Sequence, residues 1–153
     1  MRLPDFLGIG TQKGGTTYLH RLLQQHSQVF LAHPKEVHYF SLHQNRGLDW
    51  YADHFAEASI EQHCGEVTPY YLFHSLAAER IQAAIPSVKL IVLLRDPVER
   101  ALSQYFHSRR LGLETLELEA AFAAESERLA DADETLQRGE SHRSPKNLCP
   151  GRA

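Results

Sequence analysis

The sequence predicts an α/β fold: a parallel sheet flanked by helices in three layers. Three observations carry this. An apolar run at 5–10 stops at a glycine-rich turn that opens into a helical pattern. The most continuously apolar stretch, Lys89 to Leu94, is followed at once by Asp96-Pro97, an N-cap and a first-turn proline. Between these two units strand-like and helix-like segments alternate, as they do where helices cross over between parallel strands.

In chain order, residues 5–10 read as a buried strand, followed by a helix over 15–26 with Tyr18, Leu19, Leu22 and Leu23 at helical spacing. Val29-Phe30-Leu31 is a short second strand. Residues 35–58 mix aromatics and histidines without a clear period and suit short helices and loops. Cys64 to Val67 is a third strand closed by Thr68-Pro69, and a helix over 74–85 precedes Pro86. Lys89 to Leu94 then reads as a buried parallel strand, and a helix runs from Pro97 to Arg109. The alanine-rich, acidic stretch 114–138 reads as helical, with Leu118, Phe122 and Leu129 as core contacts and its glutamates as a solvated face. One domain over 1–143 and an irregular tail over 144–153 are expected. Such sheets hold ligands at the carboxyl ends of their strands.

Composition sets bounds. The 153 residues suit one domain with a real core, and a net charge of −3 gives no global attraction to nucleic acid or anionic membrane. The 2 cysteines, Cys64 and Cys149, are too far apart for a knuckle and too few for a disulfide framework. The 10 histidines are scattered without metal-ligand spacing, so no metal site is expected. No stretch has the length of a membrane span, and no signal-peptide core precedes residue 8; a cytoplasmic protein is expected.

Chemistry concentrates first at Gly8-Ile9-Gly10-Thr11-Gln12-Lys13-Gly14-Gly15-Thr16-Thr17. A strand, a flexible turn and a helix N-terminus place free N–H groups and the positive end of the helix dipole where an anion can sit. Gly14 and Gly15 permit close approach and positive φ. Lys13 adds a charge, and Thr16 and Thr17 add hydroxyl donors. The Walker loop requires lysine directly before the hydroxyl residue. Here two glycines intervene. Taken alone, the turn fits a phosphate cradle and a structural strand-to-helix turn equally well.

A second cluster, Arg95-Asp96-Pro97-Val98-Glu99-Arg100-Ala101-Leu102-Ser103, follows the strongest strand. A guanidinium fork at Arg95 and a hydroxyl at Ser103 can grip one phosphate. Read by itself, Arg95 pairs with Asp96 or Glu99 and Ser103 is a helix-surface hydroxyl.

The two clusters in this order resemble the sulfotransferases that use 3′-phosphoadenosine 5′-phosphosulfate (PAPS). Lys35-Glu36-Val37-His38-Tyr39-Phe40 and Glu66-Val67-Thr68-Pro69-Tyr70-Tyr71 are similar to segments of the heparan-sulfate and related carbohydrate branch of that family. The resemblance covers residues 8–105 and implies a P-loop-like sulfotransferase fold, present here as its N-terminal portion with the C-terminal part expected to be missing. It implies that Lys13, Gly14, Gly15, Thr16 and Thr17 hold the 5′-phosphosulfate and that Arg95 and Ser103 hold the 3′-phosphate.

The implied reaction moves a sulfuryl group from PAPS to a hydroxyl or amine and releases adenosine 3′,5′-bisphosphate, without a metal. Lys13 would neutralise the leaving oxygen, and Glu36 would take the acceptor's proton. By residue type alone, Glu36 is a surface glutamate beside Lys35. Lys35 and His38 are the acceptor-side residues: Lys35 orients Glu36 or touches the acceptor, and His38 shares a proton network with the base or is a packed histidine. Glu66 and Thr68 are expected to shape the pocket, and Tyr39, Phe40, Trp50, Tyr70 and Tyr71 to be core.

The acceptor is a carbohydrate or another small molecule. A polyanion would need a basic groove that this composition does not display. Two alternatives remain, a P-loop-like nucleotide kinase or NTPase and a truncated remnant without catalysis. Oligomeric state is not legible.

Overall fold

The computed structural model describes residues 1–130. The predicted tail at 144–153, and the last part of the acidic helical stretch, lie outside the described residues. The chain divides into two compact units, Met1–Leu94 and the residues from Arg95 onward.

The first unit holds a four-stranded sheet in the order β2-β3-β1-β4. Its strands are β1 (Phe6–Gly10), β2 (Val29–Leu31), β3 (His63–Val67) and β4 (Lys89–Val92). All pairings are parallel. Helices α1 (Thr16–Gln24), α2 (Leu48–Asp53) and α3 (Ala77–Ala84) connect them. The predicted fold class therefore holds. The β1–β3 register sets Phe6 opposite Gly65, and the Phe6 ring fills the space a Cβ at Gly65 would need.

The core is aromatic. Leu7, Phe40, Tyr51 and Phe55 are fully buried. Tyr39 stacks on Tyr51 at 4.5 Å and 8°, and Phe40 meets Tyr51 and Tyr71 edge-on at 5.2 and 5.6 Å. Each such pair contributes about 0.5–1.5 kcal/mol beyond its buried area. Residues 39 and 40 are thereby anchored, and with them the segment just before.

Three elements differ from expectation. β4 was expected to be buried, yet among the described residues it stands at the edge of the sheet with Leu90 and Val92 exposed. An apolar run reports affinity for a covering layer, not the number of neighbouring strands. α1 packs through Thr16, Leu19, His20 and Leu23 and leaves Tyr18 and Leu22 exposed, so only half of the predicted apolar stripe lies on its packed face. α3 begins at Ala77 rather than near 74, because Pro69–Leu72 forms a 3₁₀ turn and His74 Nδ1 accepts from the Leu76 N–H at 3.2 Å.

In the second unit α4 (Pro97–Arg110) starts as expected. Asp96 accepts from the Glu99 N–H at 2.9 Å and Pro97 opens the first turn. His107, Arg109 and Arg110 fall in the last turn, against the negative end of the dipole. α5 (Leu118–Ala123) follows. Leu118, Phe122 and Leu129 are half-buried, in keeping with core contacts. Glu114 departs from the solvated-face reading. It is buried and accepts from the Thr115 and Leu116 N–H groups at 2.9 and 2.8 Å and from Arg128 at 2.6 Å. Burial pushes its carboxyl up, but Arg128 and the two N–H groups outweigh burial and hold it below the usual range.

Candidate active site

The β1–α1 turn is built as an anion cradle requires. Gly10 closes β1, and the Thr11 N–H and Leu93 N–H exchange bonds with the carbonyls of Leu93 and Gly10 at 2.9 and 2.8 Å, tying the turn to the end of β4. Lys13 adopts a left-handed backbone, φ 65°. At Gly14 a Cβ would lie 2.7 Å from the Leu93 carbonyl oxygen and 2.9 Å from that of Thr11, so only glycine fits. Gly15 caps α1 at φ 102° in open space, so conformation rather than room selects it. No side chain caps α1. The Thr16 and Thr17 N–H groups lie in its first turn, where no earlier helical carbonyl reaches them. Thr16 is buried and Thr17 exposed.

The segment after β2 forms the second cluster. Glu36 Oε1 accepts from Lys35 Nζ at 3.1 Å, and Glu36 Oε2 lies 3.2 Å from His38 Nε2. His38 Nδ1 lies 3.2 Å from Ser41 Oγ. Lys35, Glu36, His38 and Ser41 therefore form one connected polar chain. Burial pushes the Glu36 carboxyl up, but the hydrogen bond from His38 and the charge of Lys35 together hold it below the usual range. Glu36 is thus held as the carboxylate near neutral pH. His38 takes φ 57°, a left-handed conformation that costs a non-glycine residue about 1–3 kcal/mol and persists only when its surroundings impose it. Its carbonyl accepts from the N–H groups of Ser41, Leu42 and His43.

Beneath this cluster sits Glu66, fully buried in β3. Tyr51 and Tyr71 hydroxyls donate to its Oε1 at 2.7 and 2.8 Å, and Thr68 Oγ1 donates to its Oε2 at 2.7 Å. Burial raises the Glu66 carboxyl, partly offset by these three donors. Burial and the neighbouring carboxylate push both tyrosine hydroxyls well above their usual range, so they stay protonated as donors.

The cradle and the Glu36 segment share one edge of the sheet. β1, β2 and β3 run parallel, and both follow carboxyl ends. The Thr68 N–H donates to the Gly8 carbonyl at 2.9 Å, and Thr68 Oγ1 accepts from the His38 N–H at 3.5 Å. On α1, His20 is pushed down by burial and then by the charge of Lys35, which lies within its electrostatic reach. Arg95 and Ser103 belong to the second unit. There Arg95 Nε pairs with Glu99 Oε2 at 3.2 Å on the exposed face of α4, and Ser103 is half-buried. Among the described residues no group of histidine, cysteine, aspartate or glutamate has the arrangement of a metal site, and no helix is long and apolar enough to cross a membrane.

The model of the sulfotransferase domain family matches residues 3–148. The chain belongs to the sulfotransferase family. It is 46% identical over 109 residues to the membrane-associated sulfotransferase kil1 of Dictyostelium discoideum, covering 69% of this chain and 23% of that protein. It is 39% identical over 118 residues to human heparan sulfate glucosamine 3-O-sulfotransferase 3B1, covering 76% and 30%. A sulfotransferase crystal structure from Alicyclobacillus acidocaldarius superposes with a TM-score of 0.78 at 32% identity, over 91% of this chain and 63% of that one. The chain thus spans less than a third of either curated relative. The expected family and the P-loop-like sulfotransferase fold stand.

The roles of Ser41, Tyr51 and Arg80 are not apparent from the sequence. Arg80 donates to the carbonyls of Phe40 and Ser41 at 3.0 and 3.1 Å, fixing the end of the 35–41 segment from α3. Tyr51 and Arg80 act across long stretches of chain, on Glu66 and on the carbonyls of residues 40 and 41, and nothing in their local sequence marks them.

Proposed function

We propose that the protein transfers a sulfuryl group from PAPS to a hydroxyl or amine of a carbohydrate or other small acceptor. The observation that carries this reading is the Glu36 carboxylate. It is held ionised between Lys35 and His38 at the sheet edge that also bears the Lys13 turn. Glu36 accepts the acceptor's proton as the acceptor oxygen or nitrogen bonds to sulfur. The bond from sulfur to the bridging oxygen breaks in line, and its electron pair leaves on the 5′-phosphate of adenosine 3′,5′-bisphosphate. Lys13 and the N–H groups of Gly15 to Thr17 stabilise that developing charge. Lysine and backbone N–H groups supply the positive field, so the reaction needs no metal. The family's motif supports Arg95 and Ser103 as ligands of the 3′-phosphate, with Arg95 exchanging its exposed Glu99 partner for the nucleotide. Relatives named for heparan sulfate glucosamine support a carbohydrate acceptor.

The test is transfer of labelled sulfuryl from PAPS to a glucosamine-containing polysaccharide and to simple sugars by the full chain. The parent should transfer, and Glu36→Gln should lose transfer while still binding adenosine 3′,5′-bisphosphate. Undiminished transfer by Glu36→Gln would remove Glu36 as the base.

A further inference from the structure

We propose that the buried Glu66 is a positioning residue: through three hydroxyl groups it fixes the backbone that carries Glu36 and His38. The proposal rests on the reading of Glu36 as the base. Each of the three hydroxyls has one proton and spends it on Glu66. Their remaining contacts lead to the 38–40 segment. Thr68 Oγ1 accepts from the His38 N–H, and the Tyr71 hydroxyl accepts from the Phe40 N–H at 3.3 Å. Tyr51 stacks flat on Tyr39. Three consecutive residues are thus held, by two hydrogen bonds and one stack, from a single carboxylate.

The arrangement explains how His38 keeps an unfavourable backbone angle. Its N–H makes a long hydrogen bond to Thr68 Oγ1, at 3.5 Å, while its carbonyl collects three N–H donors from the turn ahead. With the backbone set, the imidazole is aimed with Nε2 at Glu36 and Nδ1 at Ser41. If Thr68 no longer accepts, His38 is free to relax and Glu36 loses a hydrogen bond. The groups in this field are Lys35 and His38 beside Glu36, Glu66 behind His38, and His20 of α1 facing Lys35.

The experiment uses the full chain as parent, Thr68→Val, Thr68→Ser and Tyr71→Phe, with Tyr71→Phe carrying the same test should Thr68→Val fail to fold. Two readouts are taken: kcat and KM for sulfuryl transfer, and the titration of the Glu36 carboxyl followed by carbon NMR. Thr68→Val and Tyr71→Phe should lower kcat by about ten- to a hundredfold with little change in KM for PAPS, the scale of a small misplacement of a reacting group. Both should move the Glu36 titration upward toward the usual carboxylate range, and Thr68→Ser should restore both readouts. Unchanged kcat and unchanged Glu36 titration in the folded variants would overturn the proposal, as would a change in KM alone. Should Glu36→Gln retain transfer, the reading of the base falls, and the Glu36 titration then decides the positioning role by itself.

Discussion

Gly14 and Gly15 are adjacent, yet each is glycine for a different reason, and the two can be separated. A methyl at Gly14 collides with two backbone carbonyls that cannot rotate away. Gly14→Ala should cost about 1–3 kcal/mol in urea unfolding, as overpacking does. A methyl at Gly15 meets nothing, so Gly15→Ala pays only for its left-handed backbone, about 1–2 kcal/mol. Both should weaken nucleotide binding. Glu36 gives a pH prediction at the same scale. Its folded pKa is depressed, so its contribution to stability is full above the ordinary carboxylate pKa and is lost as pH falls through the folded value. Between about pH 6 and pH 3 the parent should therefore lose more stability than Glu36→Gln. Equal losses in denaturant titrations would contradict the Lys35–Glu36–His38 geometry.

Among the elements, the strands were the most legible part of the sequence. Val29–Leu31 matches its predicted span, and β1 and β3 lie within a residue of theirs. The start of α4 was legible because Asp96 and Pro97 act locally. Asp96→Ala should cost about 0.5–2 kcal/mol, the usual worth of an N-cap, read from the thermal unfolding midpoint. What the sequence misjudged depends on packing. The exposure of Leu90 and Val92 on β4 and of Tyr18 and Leu22 on α1 was not legible, because periodicity identifies an apolar stripe without saying what covers it. An edge strand with exposed Leu90 and Val92 invites pairing with other chains. Val92→Lys should lower light scattering on concentration without moving the unfolding midpoint.

For the whole molecule, the parts of the candidate site that were legible are those written in contiguous residues. The Lys13 turn and the Lys35–His38 run are each built from neighbouring residues: Gly14 and Gly15 shape the turn, and Lys35 and His38 bracket Glu36. The Glu66 network was only half legible. Glu66, Thr68 and Tyr71 share a short segment, but Tyr51 comes from α2, and the N–H groups that Thr68 and Tyr71 accept belong to His38 and Phe40, some thirty residues away. Such long-range contacts leave no local signature. At the centre of the proposed function stands the turn after β1, proposed to bind the 5′ end of a PAPS-type nucleotide. The most direct measurement is thermal unfolding of the full chain titrated with adenosine 3′,5′-bisphosphate, alongside Lys13→Ala and alongside ATP with magnesium. Binding should stabilise the parent by about 2.7 kcal/mol at a hundredfold excess over Kd, with a much smaller effect in Lys13→Ala. A folded parent that ignores this nucleotide, or that prefers ATP with magnesium, would contradict the claim.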